Sequence, residues 1–237
     1  MQQMIPVGGS YELELRLFES FTKDARFTKD ARREPEQPTV RLVGLLFAPV
    51  GAPLTGSAII PRLDQYHWRS GAAMDIFCPG YASGTSRAQF DSTFASVVDK
   101  GPDGSAWLFS HRSFNEVRAY IENLSGWRNS GEVDLLLVMG CREPSQVTPV
   151  MAWRSGVVIA LDNAINDGAI RSVATFMEQL FRYAEENPVN PRLGGFIATA
   201  GGKVVAESLL DVILGALPVD LRPLWKKGRH FQPLALA

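Results

Sequence analysis

Cysteine is scarce in this chain. Cys78 and Cys141 are the only two thiols in 237 residues. A disulfide framework is therefore excluded, and the cysteine usage suits a reducing compartment. Histidine is as scarce, with His67, His111 and His230 alone. No histidine has a second ligand at the close spacing that zinc sites use, so no metal is expected. Charge of one sign is lacking too. Lys and Arg number 24 against 25 Asp and Glu, for a net charge of −1. That leaves no global basic footprint for nucleic acid and no acidic tail. No apolar run approaches the ~18 residues that span a bilayer. The opening stretch, Met1 to Gly9, has neither a basic n-region nor a long apolar h-region, so no signal peptide is expected. These absences together predict a soluble cytoplasmic protein with no membrane segment and no nucleic-acid partner.

Catalytic templates are missing as well. Gly80-Tyr-Ala-Ser-Gly84 is one residue out of register for a nucleophile elbow. Gly201-Gly-Lys203 ends like a phosphate-binding loop, but Ile197 stands where the first glycine belongs and Val204 where Ser or Thr belongs. No Gly-x-Gly-x-x-Gly follows the first buried strand, so a dinucleotide cofactor is unsupported. No cofactor is expected, and no catalytic residue is identified.

What the chain does have is a core. It is 46% hydrophobic, and a chain of this size buries roughly 70–75% of its unfolded surface. The organising stretch is Glu132 to Cys141, a continuous apolar run bounded by Ser130-Gly131 and containing Gly140 near its end. Such a run reads as a strand covered on both faces. Val40 to Phe47 is a second strand of this kind and Met74 to Cys78 a third. Val157 to Leu161 supplies a fourth. Tyr11 to Phe18 alternates apolar and charged residues with period two, which predicts an N-terminal edge strand. Pro61 can open a short helix. Ser113-Phe-Asn-Glu116 has the form of a capping box, with Phe114, Val117, Ile121 and Leu124 following at helical spacing. Asp167 is placed to cap a longer helix, in which Ile170, Val173, Ala174, Met177, Leu180, Phe181 and Ala184 form one face. Val204 to Leu217 repeats the helical pattern. The hexapeptide Phe-Thr-Lys-Asp-Ala-Arg occurs twice in tandem, at Phe21–Arg26 and Phe27–Arg32; two copies do not make a solenoid.

The expected architecture is α/β, a central mixed sheet flanked by helices, with an N-terminal edge strand and a C-terminal helical extension. One domain is expected overall. Residues 1–39 form the N-terminal strand and a charged loop. Residues 40–186 form the core with a long insertion near 81–105, and 187–237 the C-terminal extension. This element order resembles the thioredoxin-like fold over about Val40 to Glu186. Redox members of that fold carry Cys-x-x-Cys after their first core strand, and here the slot reads Phe47-Ala-Pro-Val-Gly-Ala-Pro53. They also place a cis-proline before the next-to-last strand, whereas Pro149 follows the Glu132 strand. The resemblance thus implies the fold without its thiol chemistry. With the Val40 strand between those of Cys78 and Cys141, the thiols are at least two strand spacings apart, about 9–10 Å, beyond disulfide reach.

Two clusters carry the remaining chemistry. Tyr66-His-Trp-Arg-Ser70 and Ser110-His-Arg112 would make a phosphate or nucleotide site if His67, Arg69, His111 and Arg112 met in one cleft. Taken singly, each has a blander reading as a helix end or a turn. Asp75, Glu132 and Asp134 are candidate carboxylates, but they are spread over separate strands. Trp225 beside Lys226 and Arg229 has the composition of an interface anchor with a basic rim. The sequence therefore reads as a non-catalytic interaction or adaptor component of a bacterial multi-protein system, with a protein partner or a homo-oligomer. A nucleotide- or phosphate-binding enzyme is the alternative.

Overall fold

A computed structural model describes residues 5–7, 10–27, 38–70, 74–83, 95–100, 106–146, 148–187, 202–218, 220, 222 and 231–234. The chain is an α/β protein. Its elements in order are β1 (Ile5–Val7), α1 (Ser10–Phe27), β2 (Thr39–Phe47), α2 (Leu63–Arg69), β3 (Met74–Pro79), β4 (Tyr81–Ser83), β5 (Ala95–Lys100), β6 (Ala106–Ser110) and α3 (His111–Ser125). Then come β7 (Asp134–Arg142), β8 (Val150–Met151), β9 (Val157–Ala160), α4 (Leu161–Asn166), α5 (Val173–Glu186), α6 (Gly202–Ala216) and β10 (Phe231–Pro233).

The main sheet has seven strands in the order β1-β3-β2-β7-β9-β10, with β8 beside β7. Strands β1, β3 and β2 are parallel, whereas β7 runs antiparallel to β2 and to β9. The long apolar runs take the centre: β2 and β7 pair over nine residues, from Thr39–Arg142 to Phe47–Asp134. Continuous hydrophobic strands belong there because both faces are covered.

Pleat parity assigns the two layers. Arg41, Val43, Leu45 and Phe47 lie on one face of β2, with Leu42, Gly44 and Leu46 on the other. On the first face Ser20 of α1 reaches Asp75, which pairs across from Val43. Phe114 of α3 stacks edge-on to Phe47 on that face, with centroids 6.1 Å apart. Helices α1 and α3 therefore share a layer. Helices α2, α5 and α6 pack over the other side, with α5 against α6 and β3, and α6 against β7 and β9.

Tyr81–Ser83, Ala95–Lys100 and Ala106–Ser110 form a second antiparallel sheet, β4-β6-β5. It is tied down by two side chains. The Tyr81 hydroxyl donates to the Ala48 carbonyl at 2.7 Å, and the Trp107 indole N–H donates to Asp64 at 2.9 Å. The turn into it is Gly80, at φ 85°. A Cβ there would stand 2.8 Å from Cβ of Phe114 and 3.2 Å from the Ser110 carbonyl oxygen, so conformation and space both require glycine.

Three local expectations are corrected. Tyr11 to Phe18 is helix, within α1, and the N-terminal edge strand is instead Ile5–Val7. Period two and period 3.6 share the i, i+4 spacing. Leu13, Leu17 and Phe21 are buried at that spacing, whereas Tyr11 is 78% exposed and Leu15 39%. The cap of α3 lies three residues before the predicted one: it is Ser110, its Oγ accepting from the Ser113 amide at 3.2 Å. Similarly Ser172, not Asp167, caps α5, accepting from the Thr175 amide at 3.1 Å. In both places the cap is a serine in extended backbone directly before the first helical residue, whereas Ser113 lies inside the first turn of α3 and Asp167 lies six residues before α5.

Candidate functional site

Among the described residues singled out from the sequence, Arg69 lies apart from His111 and Arg112. Arg69, at the end of α2, turns toward α5. Its guanidinium lies 3.0 Å from Glu178 and 3.1 Å from Glu185 and stands over the Phe181 ring at 5.7 Å. Burial opposes its charge, but the two carboxylates outweigh that and hold its pKa above the ordinary arginine value. This side chain staples α2 to α5. His67 lies in the same helix, with its side chain outside the described residues. His111 and Arg112 open α3, which belongs to the opposite layer, and both are exposed. The His111 ring meets Phe109 edge-on at 4.9 Å. Trp225, Lys226 and Arg229 lie outside the described residues, as does the second copy of the tandem hexapeptide beyond Phe27.

The candidate carboxylates separate in the same way. Asp75 is buried against Arg41 at 3.1 Å, and Arg41 also donates to the Ser20 carbonyl at 2.9 Å while the Ser20 hydroxyl donates to Asp75. The group is nearly solvent-free, and its hydrogen bonds satisfy both charges. It joins α1 to the two parallel strands and serves packing. Asp134 begins β7 and accepts from the Ser130 amide and hydroxyl, each at 2.9 Å. Burial pushes its pKa above the ordinary carboxylate value, against those hydrogen bonds, and nearby Asp162 adds to the rise. Among the described residues no three His, Cys, Asp or Glu side chains could hold a metal ion.

Both thiols are free and buried. Cys141 pairs across from Val40 at one end of β2, and Cys78 follows the Leu45–Phe77 pair at the other. Six residues of strand, roughly 20 Å, separate them in addition to the two strand spacings.

A cleft of about 300 Å³ opens where α1, α3 and the segment around β8 meet. It is lined by Glu14, Leu17 and Phe18 from α1, Tyr120 from α3, and Thr148, Pro149, Met151 and Trp153. The Tyr120 hydroxyl donates to the Glu14 carboxylate across the helix pair. Burial, then that carboxylate, pushes the Tyr120 pKa up to about 12, so the phenol stays a donor at neutral pH. One helical turn away, the Ser10 amide and hydroxyl each donate to Glu116 at 3.2 Å, fixing the start of α1 on α3. Glycine shapes the floor of this layer: a Cβ at Gly140 would meet Phe21 Cζ at 2.5 Å as well as the Met151 sulfur.

No protein-family model matches this chain, and no curated protein or solved structure matches it either.

Helix α1 carries two apolar stripes. Leu13, Leu17 and Phe21 fill the core. Phe18, Tyr11 and Leu15 form a second stripe, beginning at the cleft and running onto the surface. Its other flank is closed by Arg16, which pairs with Glu12 at 3.5 Å and with Glu19 at 3.0 Å. The sequence reading missed Glu14, Phe18, Tyr120 and Trp153 because it laid Tyr11–Phe18 out as a strand. Extending the window to Phe21 supplies the missing signal: Leu13, Leu17 and Phe21 recur every four residues, as a helix requires.

A second, smaller cavity of about 140 Å³ lies between the start of α5 and the end of α6. Ile170, Ser172, Phe176 and Leu217 contribute to its lining.

Proposed function

We propose that this chain is a non-catalytic interaction module, an adaptor component of a bacterial multi-protein system, working in the cytoplasm. The observation that carries the reading is the second apolar stripe of α1. Among the described helical side chains Tyr11 and Leu15 are the most exposed large apolar ones, at 78% and 39%, and they lie on the same helix face as Phe18 of the cleft. An aromatic residue and a leucine in water beside a concave surface are what a partner's anchor residues meet at an interface. The occupant is another protein, presenting apolar side chains to Tyr11 and Leu15 and one polar anchor to the cleft.

The sheet is proposed to be thioredoxin-like. Supporting this, the parallel pair β2 and β3 is followed by antiparallel β7 and β9 and then by helix, the order predicted from the sequence. The adaptor reading is consistent with the loss of that fold's chemistry. The loop after β2 has no cysteine, and both thiols lie elsewhere and buried. Among the described residues no helix is long and apolar enough to cross a membrane.

The test is isolation of tagged protein from its own host, with each bound protein identified by mass. Wild type is compared with Tyr11→Ala/Leu15→Asp. The reading predicts one defined protein lost in the double variant at unchanged melting temperature. Equal recovery from both forms would remove this surface as the docking site.

A further inference from the structure

Within that reading, and resting on it, the geometry points to a basic anchor: the cleft receives a lysine or arginine side chain of the protein partner. Of the described lining residues three are aromatic and one, Glu14, is acidic. Phe18, Tyr120 and Trp153 contribute rings, and Glu14 contributes the carboxylate. Among the described residues no basic side chain lines the cleft.

Aromatic rings attract a cation through the negative potential of their faces. A carboxylate has about four acceptor positions, and the Tyr120 hydroxyl occupies one. The phenol points its proton at Glu14, which fixes the carboxylate in place and leaves its remaining lone pairs for an N–H donor. Size agrees with the chemistry. A cleft of about 300 Å³ is at the lower limit for a drug-sized ligand and holds a single long side chain. The apolar stripe continuing to Tyr11 and Leu15 then accommodates residues beside the anchor, which favours a protein segment over a free amine. The aliphatic stem of a lysine or arginine packs on Leu17 and Met151 as its head reaches Glu14.

The experiment titrates the full-length, ¹⁵N-labelled protein with three probes, following the Trp153 indole resonance. The probes are N-acetyl-lysine methylamide, N-acetyl-arginine methylamide and the uncharged N-acetyl-norleucine methylamide. The expected result is saturable shifting by both cationic probes, with norleucine weaker by about tenfold or more. Glu14→Gln keeps the acceptor for Tyr120 but removes the charge, and should weaken the cationic probes by about tenfold at unchanged melting temperature. Norleucine binding as well as lysine, or Glu14→Gln binding lysine undiminished, would overturn the inference.

Cross-linking at Tyr11 separates this claim from the one beneath it. A protein adduct at Tyr11 without cation preference in the cleft removes the basic anchor alone. Cation binding without any adduct at Tyr11 overturns the partner assignment, and with it the proposal that the anchor comes from a protein.

Discussion

Arg41 and Asp75 are paired at 3.1 Å between neighbouring parallel strands, and each side chain is more than nine-tenths hidden from solvent. The pair is closed by Ser20 of α1, which offers its carbonyl to Arg41 and its hydroxyl to Asp75. The helix that bears the proposed docking stripe is thus anchored to the sheet by a desolvated ion pair. Asp75→Ala would remove the buried carboxylate that Arg41 pairs with, and should cost about 3–5 kcal/mol. Replacing both with apolar residues of similar volume should cost far less. Urea unfolding of the single and double variants measures the difference.

The centre of the sheet should be intolerant of cavities. Leu136 in β7 is fully buried and pairs with Leu45 on one side and Val158 on the other. Leu136→Ala should cost about 2–5 kcal/mol, because a strand held by both neighbours cannot collapse around the void. Met177→Lys should be comparably damaging, since Met177 is fully buried in the α5 face. Both are read from chemical unfolding at neutral pH.

The thiols should be inert. Burial pushes the Cys78 thiol well above its ordinary range; burial, then Glu143, pushes Cys141 up to about 11. Both are therefore neutral at pH 7–8, and a thiol reagent should label the native protein only as fast as it unfolds. Reductant should not move the unfolding midpoint. Cys78→Ser and Cys141→Ser should retain partner binding.

The same displacement gives an alkaline limb to stability. Cys141 and Tyr120 have folded pKa values of about 11 and about 12, above their ordinary values of 9.0 and 10.0. The folded state holds these protons more tightly than the unfolded chain. Their contribution is complete below pH 9 and is lost as pH rises from there through about 12. Melting curves from pH 7 to 11 should show a decline beginning near pH 9, to which the buried Cys78 thiol also contributes, and Cys141→Ser should make that decline shallower.

Much of the architecture was legible in the sequence. Continuous apolar runs marked β2, β3, β7 and β9, and the order β3-β2-β7 was inferred correctly, because a strand covered on both faces advertises itself by having no polar side. The short edges were not legible. Ile5–Val7 and Phe231–Pro233 are three residues each and both contain proline, too little for a periodic signal. The Tyr11–Phe18 stretch misled because the outer face of α1 is apolar as well. A helix whose outer face is also apolar imitates alternation, and the surplus residues Tyr11 and Leu15 that spoiled the helical pattern are those assigned to a partner. The cleft was invisible because Glu14, Tyr120 and Trp153 are far apart in sequence and are assembled only by the packing of α1 on α3.

The most direct test of the docking surface is site-specific photo-cross-linking in the native host. A benzoylphenylalanine replaces Tyr11, or in separate strains Leu15, or Arg182 on the opposite layer, whose side chain is 72% exposed. The account predicts that Tyr11 and Leu15 give the same adduct with one defined protein, and that Arg182 does not. No adduct at either α1 position, or an equal adduct at Arg182, would contradict it.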